Sequence, residues 1–179
     1  MKKIRLYGCP KETVETYKML SSTTKVEVSP ITDNDLDRTV NEIFMHDCQF
    51  EENVILKEMF MIFQGFTPDE MLNYLNILKE HNVPYGGIKI IETDHNKNWK
   101  LRDLFSEVLL EHQLFKKSEI LKQVLISTSN VNIDKLNEND KTKFKELLMK
   151  GYMMLQNPSR DLENIDSCTR EIMNYLKKM

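Results

Sequence analysis

The chain of 179 residues is short of cysteine, glycine and proline, with three, five and five of each. That is too little for a disulfide-stapled scaffold, a collagen-like fibre or a Pro/Gly-rich disordered segment. Cys9, Cys48 and Cys168 are widely spaced and odd in number, which excludes complete internal pairing and makes a reducing compartment the simpler setting. Long hydrophobic runs are lacking too: the longest is Met59 to Phe63, far short of the roughly 20 residues that span a bilayer. Too few apolar residues follow Met1-Lys2-Lys3 for a secretory leader. Neither sign of charge dominates. Lys plus Arg number 25 against 28 Asp plus Glu, net −3, so the counterion-release electrostatics of nucleic-acid binding and the attraction to anionic membranes are both missing. The expectation is a cytoplasmic protein that binds neither nucleic acid nor membrane.

What is present is the balance of a foldable domain, 40% hydrophobic and 30% charged. Short β-prone runs at Ile4 to Tyr7, Val26 to Val28, Met59 to Phe63 and Ile88 to Ile91 alternate with helical spacing, the pattern of βαβ units. One helix is expected through Val14, Tyr17 and Leu20, and a second through Leu36, Val40, Ile43 and Phe44, capped by Asp33 or Asp35. A third is announced by Thr67-Pro68-Asp69-Glu70, which supplies an N-cap, a proline at the first helical position and a capping-box glutamate ahead of Met71, Leu72, Leu75 and Leu78. A fourth runs from Trp99 through Leu101, Leu104, Phe105, Val108, Leu109, His112 and Phe115 to Lys116-Lys117. Beyond about residue 117 only helical patterns remain. Phe144, Leu147, Leu148, Gly151, Met154 and Leu155 make one stripe, and Leu162, Ile165, Cys168, Ile172, Leu176 and Met179 another, joined by Asn157-Pro158-Ser159. The expected fold is α/β: a small four-stranded, mostly parallel sheet flanked by helices over residues 1–116, with an all-helical extension over 117–179. Such a hairpin has too little core to stand alone and must pack on the first domain, on the 117–126 helix or on another subunit.

Gly65-Phe66-Thr67 with Glu70, then Thr93, Asn96 and Trp99, then Glu111-His112, preceded by the Ile4-Arg5-Leu6-Tyr7 strand, resemble a family of small bacterial proteins known as domain of unknown function thirty-seven eighty-three. The resemblance covers about residues 3–116 and implies a compact α/β domain without an assigned activity. The chain departs from the family at Gly8-Cys9, where an asparagine commonly follows the tyrosine, and at Asp94, where a proline is expected.

In an open parallel sheet, ligands bind outside the carboxyl ends of the strands where the strand order reverses. The sequence leaves the strand order open; if it is 2-1-3-4, that crevice gathers Gly8, Cys9, Gly65, Phe66 and Thr67, with Thr93, Asn96 and Trp99 beside them. The same residues also have a purely structural account: Thr67 and Glu70 as a cap worth about 1 kcal/mol, Gly65 as a positive-φ position, and Trp99 as a core plug. Cys9, between a strand and a helix, is the one candidate thiol nucleophile. It lacks a Cys-x-x-Cys partner and an arginine six residues on, and Glu12 and Glu15 work against a thiolate. His46-x-Cys48 is the one close pair of metal-ligand types, and a zinc site wants three or four ligands, so no metal and no cofactor are expected. Asp33, Asp35 and Asp37 read as solvated carboxylates at a helix start. Phosphate-binding glycine loops and the Gly-x-Ser-x-Gly elbow are missing. Eleven methionines suit either a core or an adaptable interface; Met153 and Met154, being adjacent, cannot both face one core. The favoured expectation is a non-catalytic binding or adaptor protein whose partner is another protein, a second copy of the chain included. The alternative is a small-molecule sensor or enzyme working at the crevice.

Overall fold

A computed structural model describes residues 1–46, 56–83, 86–130, 133, 136–156 and 161–177. The strands are β1 (Lys2–Tyr7), β2 (Val26–Pro30), β3 (Phe60–Gln64) and β4 (Ile88–Ile91). The helices are α1 (Lys11–Thr24), α2 (Val40–Met45), α3 (Pro68–Glu80), α4 (Leu101–Ser127), α5 (Glu138–Gln156) and α6 (Leu162–Leu176). The four strands form one mostly parallel sheet in the order β2-β1-β3-β4, flanked by helices. The chain divides into two compact units, Met1–Leu109 and Leu110–Met179, the division falling inside α4.

One pairing departs from a fully parallel sheet. β1 runs parallel to β2, and β3 to β4, but β1 and β3 are antiparallel, with Tyr7 opposite Phe60 and Lys3 opposite Gln64. The link between β2 and β3 leaves and re-enters the sheet at the same end, with Pro30 of β2 opposite Leu6 and Phe60 of β3 opposite Tyr7, so β3 runs back along β1. The chain re-enters beside the end of β1, where the Leu56 N–H donates to the Gly8 carbonyl at 3.0 Å.

Alternation along the strands sorts the core of the first unit into two layers. Ile4, Leu6, Val26, Val28, Met61 and Phe63 face Val14 and Tyr17 of α1 and Tyr74 and Leu78 of α3. Tyr7, Phe60, Ile62, Ile88 and Ile90 face Val40, Ile43 and Phe44 of α2 and Leu101, Leu104 and Phe105 of α4. Several local expectations change. Leu72 is exposed and Tyr74 takes its place on the buried face of α3. α2 is capped by Thr39 rather than by Asp33 or Asp35, with Glu42 closing the box. α4 does not stop at Lys116-Lys117 but continues to Ser127, and Phe115 is exposed.

In the second unit, Leu121 and Leu125 of α4 pack with Phe144 and Leu147 of α5 and Ile165, Cys168 and Ile172 of α6. The 117–126 stretch of helix, one of the three covers open to the hairpin, contributes Leu121 and Leu125 to this core. Gly151 permits the approach: a Cβ there would lie 3.2 Å from Leu125 Cδ2. The Asn157-Pro158-Ser159 joint and Met179 lie outside the described residues.

Candidate functional site

The antiparallel β1–β3 pairing sends the carboxyl ends of β1 and β3 to opposite ends of the sheet. The expected crevice is therefore divided: Gly8 and Cys9 sit at one end, while Gly65, Phe66 and Thr67, with the segment that opens at Thr93 after β4, leave from the other.

At the β1 end, Gly8 adopts φ 74 and any Cβ there would collide with the Leu56 side chain. Gly8, Cys9, Thr13, Leu56, Met59 and Gly87 are among the residues that line a cavity of about 230 Å³. Cys9 is 6% exposed, and burial pushes its thiol up to about 11. At neutral pH it is a protonated, weakly nucleophilic group.

At the other end the polar side chains are committed to the backbone. The Glu70 N–H donates to Thr67 Oγ1 at 3.3 Å, and the Thr67 N–H to the Glu70 carboxylate at 3.0 Å. That bond, with Lys2 Nζ 2.9 Å from the same carboxylate, holds the Glu70 carboxyl below its ordinary range. Phe66 is buried edge-on to Phe63 and Tyr74, at 5.2 and 6.0 Å between ring centroids. Gly65 takes φ 75 in the tight exit from β3. Thr93 and Asn96 repeat the reciprocal cap: the Thr93 N–H donates to Asn96 Oδ1 at 2.8 Å, the Asn96 N–H to Thr93 Oγ1 at 3.3 Å, and Asn96 Nδ2 to the Ile91 carbonyl at 2.9 Å. Trp99 packs half-buried on the second core layer, and its carbonyl accepts from the Val40 N–H at 3.1 Å.

The most buried polar side chain was not singled out by sequence reasoning. Arg5, 0% exposed, donates from Nε to the Ile43 carbonyl at 3.0 Å and from Nη1 to Glu27 Oε1 at 3.0 Å, and lies over the Phe44 ring at 5.1 Å. Lys3 donates to the Phe44 carbonyl at 2.9 Å. The two cations satisfy the carbonyl end of α2, where the helix dipole favours positive charge. The available signal was the pair Arg5 and Glu27, opposite charges on the same face of neighbouring strands, two residues apart in register. The aspartates after β2 also do more than face solvent. Asp33 accepts from the Tyr7 hydroxyl at 2.8 Å, Asp35 is buried and accepts from the Thr32 N–H and hydroxyl, and Asp37 pairs with Arg102 at 3.1 Å.

Among the described residues no three or more His, Cys, Asp or Glu side chains converge to hold a metal ion; Cys48, half of the His46-x-Cys48 pair, lies outside them. His112 is half-buried on α4.

Residues 59–115 match the family model described as Domain of unknown function (DUF3783). The DUF3783 match runs from the start of β3 into α4 and contains Gly65, Phe66, Thr67, Glu70, Thr93, Asn96 and Trp99. Residues 3–58, with Gly8 and Cys9, fall outside it. No curated protein and no solved structure matches the chain. Within this match, Thr67 with Glu70 and Thr93 with Asn96 form reciprocal caps, and Phe66 and Trp99 pack on the two core layers.

The second unit carries an exposed apolar stripe. On α5, Met149, Tyr152 and Met153 are 63%, 50% and 63% exposed, and Lys145, Glu146, Met149, Lys150, Met153 and Met154 bound a shallow groove of about 690 Å³. Met154 is half-buried against the helical core while its neighbour Met153 faces out.

Proposed function

We propose that the protein is a non-catalytic binding or adaptor protein of a reducing, cytoplasmic and bacterial setting, whose second unit carries the contact face. The exposed apolar stripe of α5 carries this reading. Single exposed hydrophobic residues are ordinary, whereas adjacent ones rimmed by charge are a common mark of protein contact. Methionine, unbranched and polarizable, fits such faces to partners of varied shape. The compartment is supported by Cys9 and Cys168, both free buried thiols. The raised Cys9 thiol counts against the competing reading in which it acts as a nucleophile at the strand ends. No helix among the described residues is long and apolar enough to cross a membrane.

A photo-activatable phenylalanine analogue placed at Met149 or at Lys18, an exposed position on α1, tests the reading in living cells. The reading expects a discrete protein adduct from position 149 and none from position 18. Absence of any adduct at 149, with the protein folded and abundant, overturns it.

A further inference from the structure

We infer that the occupant of the α5 face is α5 of a second copy of this chain, lying antiparallel across a two-fold axis near Met149. This rests on the reading of α5 as a contact face and names its partner. The first observation is the apolar stripe itself, Met149 and Met153 one helical turn apart with Tyr152 between them, each at least half exposed. The second is the charge at its rim. Glu146 and Lys150 are one turn apart on α5, and both are exposed. Glu138 closes an ion pair with Lys141 at 2.8 Å, but neither Glu146 nor Lys150 forms a salt bridge with another described residue.

Antiparallel pairing uses both charges at once. An axis crossing α5 close to residue 148 sets Glu146 of each copy opposite Lys150 of the other, so one sequence feature is satisfied twice by symmetry. Met149 then lies beside the axis and meets its own copy, while Met153 falls one turn further along, near the stem of Lys145, whose methylenes cover apolar surface while the ammonium stays in water. A strongly acidic or basic partner finds no matching field here, because the rim mixes two lysines with one glutamate. A surface that carries both signs one turn apart is complementary to itself in the antiparallel sense.

Sedimentation velocity of the full chain over a wide concentration range tests this, with Glu146→Lys, Lys150→Glu and the double exchange, each checked by circular dichroism for retained helix. The expected result is a reversible dimer, weakened about tenfold or more by either single reversal, which sets like charges opposite one another, and restored by the double exchange. A dimer indifferent to the single reversals places the interface elsewhere and overturns the inference. A monomer at every concentration also overturns it. In that case a protein adduct of another mass from position 149 leaves the contact-face reading standing, and no adduct removes both.

Discussion

At the residue scale, the chemistry of the first unit is burial chemistry. The Cys9 thiol and the Tyr74 hydroxyl are pushed up to about 11 and about 12 by desolvation, and Tyr7 to about 12 by burial reinforced by the Asp33 carboxylate. The sign follows from linkage. An acid whose folded pKa lies above its unfolded value contributes stability that is present below the unfolded value and lost as pH rises through the folded one. For Cys9 that window runs from the ordinary thiol value of 9.0 to about 11. Alkylation of Cys9 in the folded protein, followed by peptide mass mapping, is therefore slow at pH 7 and climbs about tenfold per pH unit until near 11. In the denatured chain it levels off near 9. Rapid labelling of the folded protein at pH 7 would return Cys9 to consideration as a nucleophile. Arg5 gives a second residue-scale prediction. Arg5→Ala leaves the Ile43 carbonyl and Glu27 without their donor and empties a fully buried site, and is expected to cost about 3–5 kcal/mol in chemical denaturation. Lys3→Ala, at a partly exposed position, costs less, on the order of 1 kcal/mol.

At the element scale, the first unit is assembled from repeated reciprocal caps: Thr39 with Glu42, Thr67 with Glu70, and Thr93 with Asn96. Thr67→Ala is expected to lower stability by about 1 kcal/mol, within the usual 0.5–2 for a lost N-cap, and to leave the sheet intact. A loss confined to ligand binding, with stability unchanged, would instead restore Thr67 to a site. The turn into β4 is less forgiving. Gly87 holds φ 87, and a Cβ there would stand 2.2 Å from the Met59 carbonyl oxygen, so Gly87→Ala is expected to cost about 1–3 kcal/mol from backbone strain, with the clash adding to it. α3 was legible because its start is written in one tetrapeptide, Thr67-Pro68-Asp69-Glu70. α2 was legible as a stripe but not as a length. Val40, Ile43 and Phe44 mark a buried face whether the helix spans six residues or twelve.

At the scale of the whole molecule, the strand positions could be read from hydrophobic runs, because β-prone segments and helical periodicity alternate plainly over the first two-thirds, whereas the order β2-β1-β3-β4 comes from the structure. The direction of β3 could not be read either. Direction depends on which end of the sheet the chain occupies at residue 56, and no local pattern states that. The candidate site inherited the error, since Cys9 and Thr67 are neighbours only if β1 and β3 run the same way. The second unit was legible as stripes, and the adjacency of Met153 and Met154 already required one to face away from the core. That Glu146 and Lys150 do not pair with each other within α5 was not legible, because an i,i+4 glutamate and lysine read as an internal ion pair until the side chains are placed.

The claim that the protein works through the α5 face is tested most directly by native mass spectrometry of the full chain, purified gently at low ionic strength, beside the Met149→Asp variant. The expected spectrum shows the chain bound to protein, with twice the chain mass if the partner is a second copy, and Met149→Asp reduces that species to the bare chain while helix content is unchanged. A monomer carrying a defined small-molecule mass, retained in Met149→Asp and lost on substitution of a residue lining the cavity beside Cys9, would contradict it and return the function to the β1 end of the sheet.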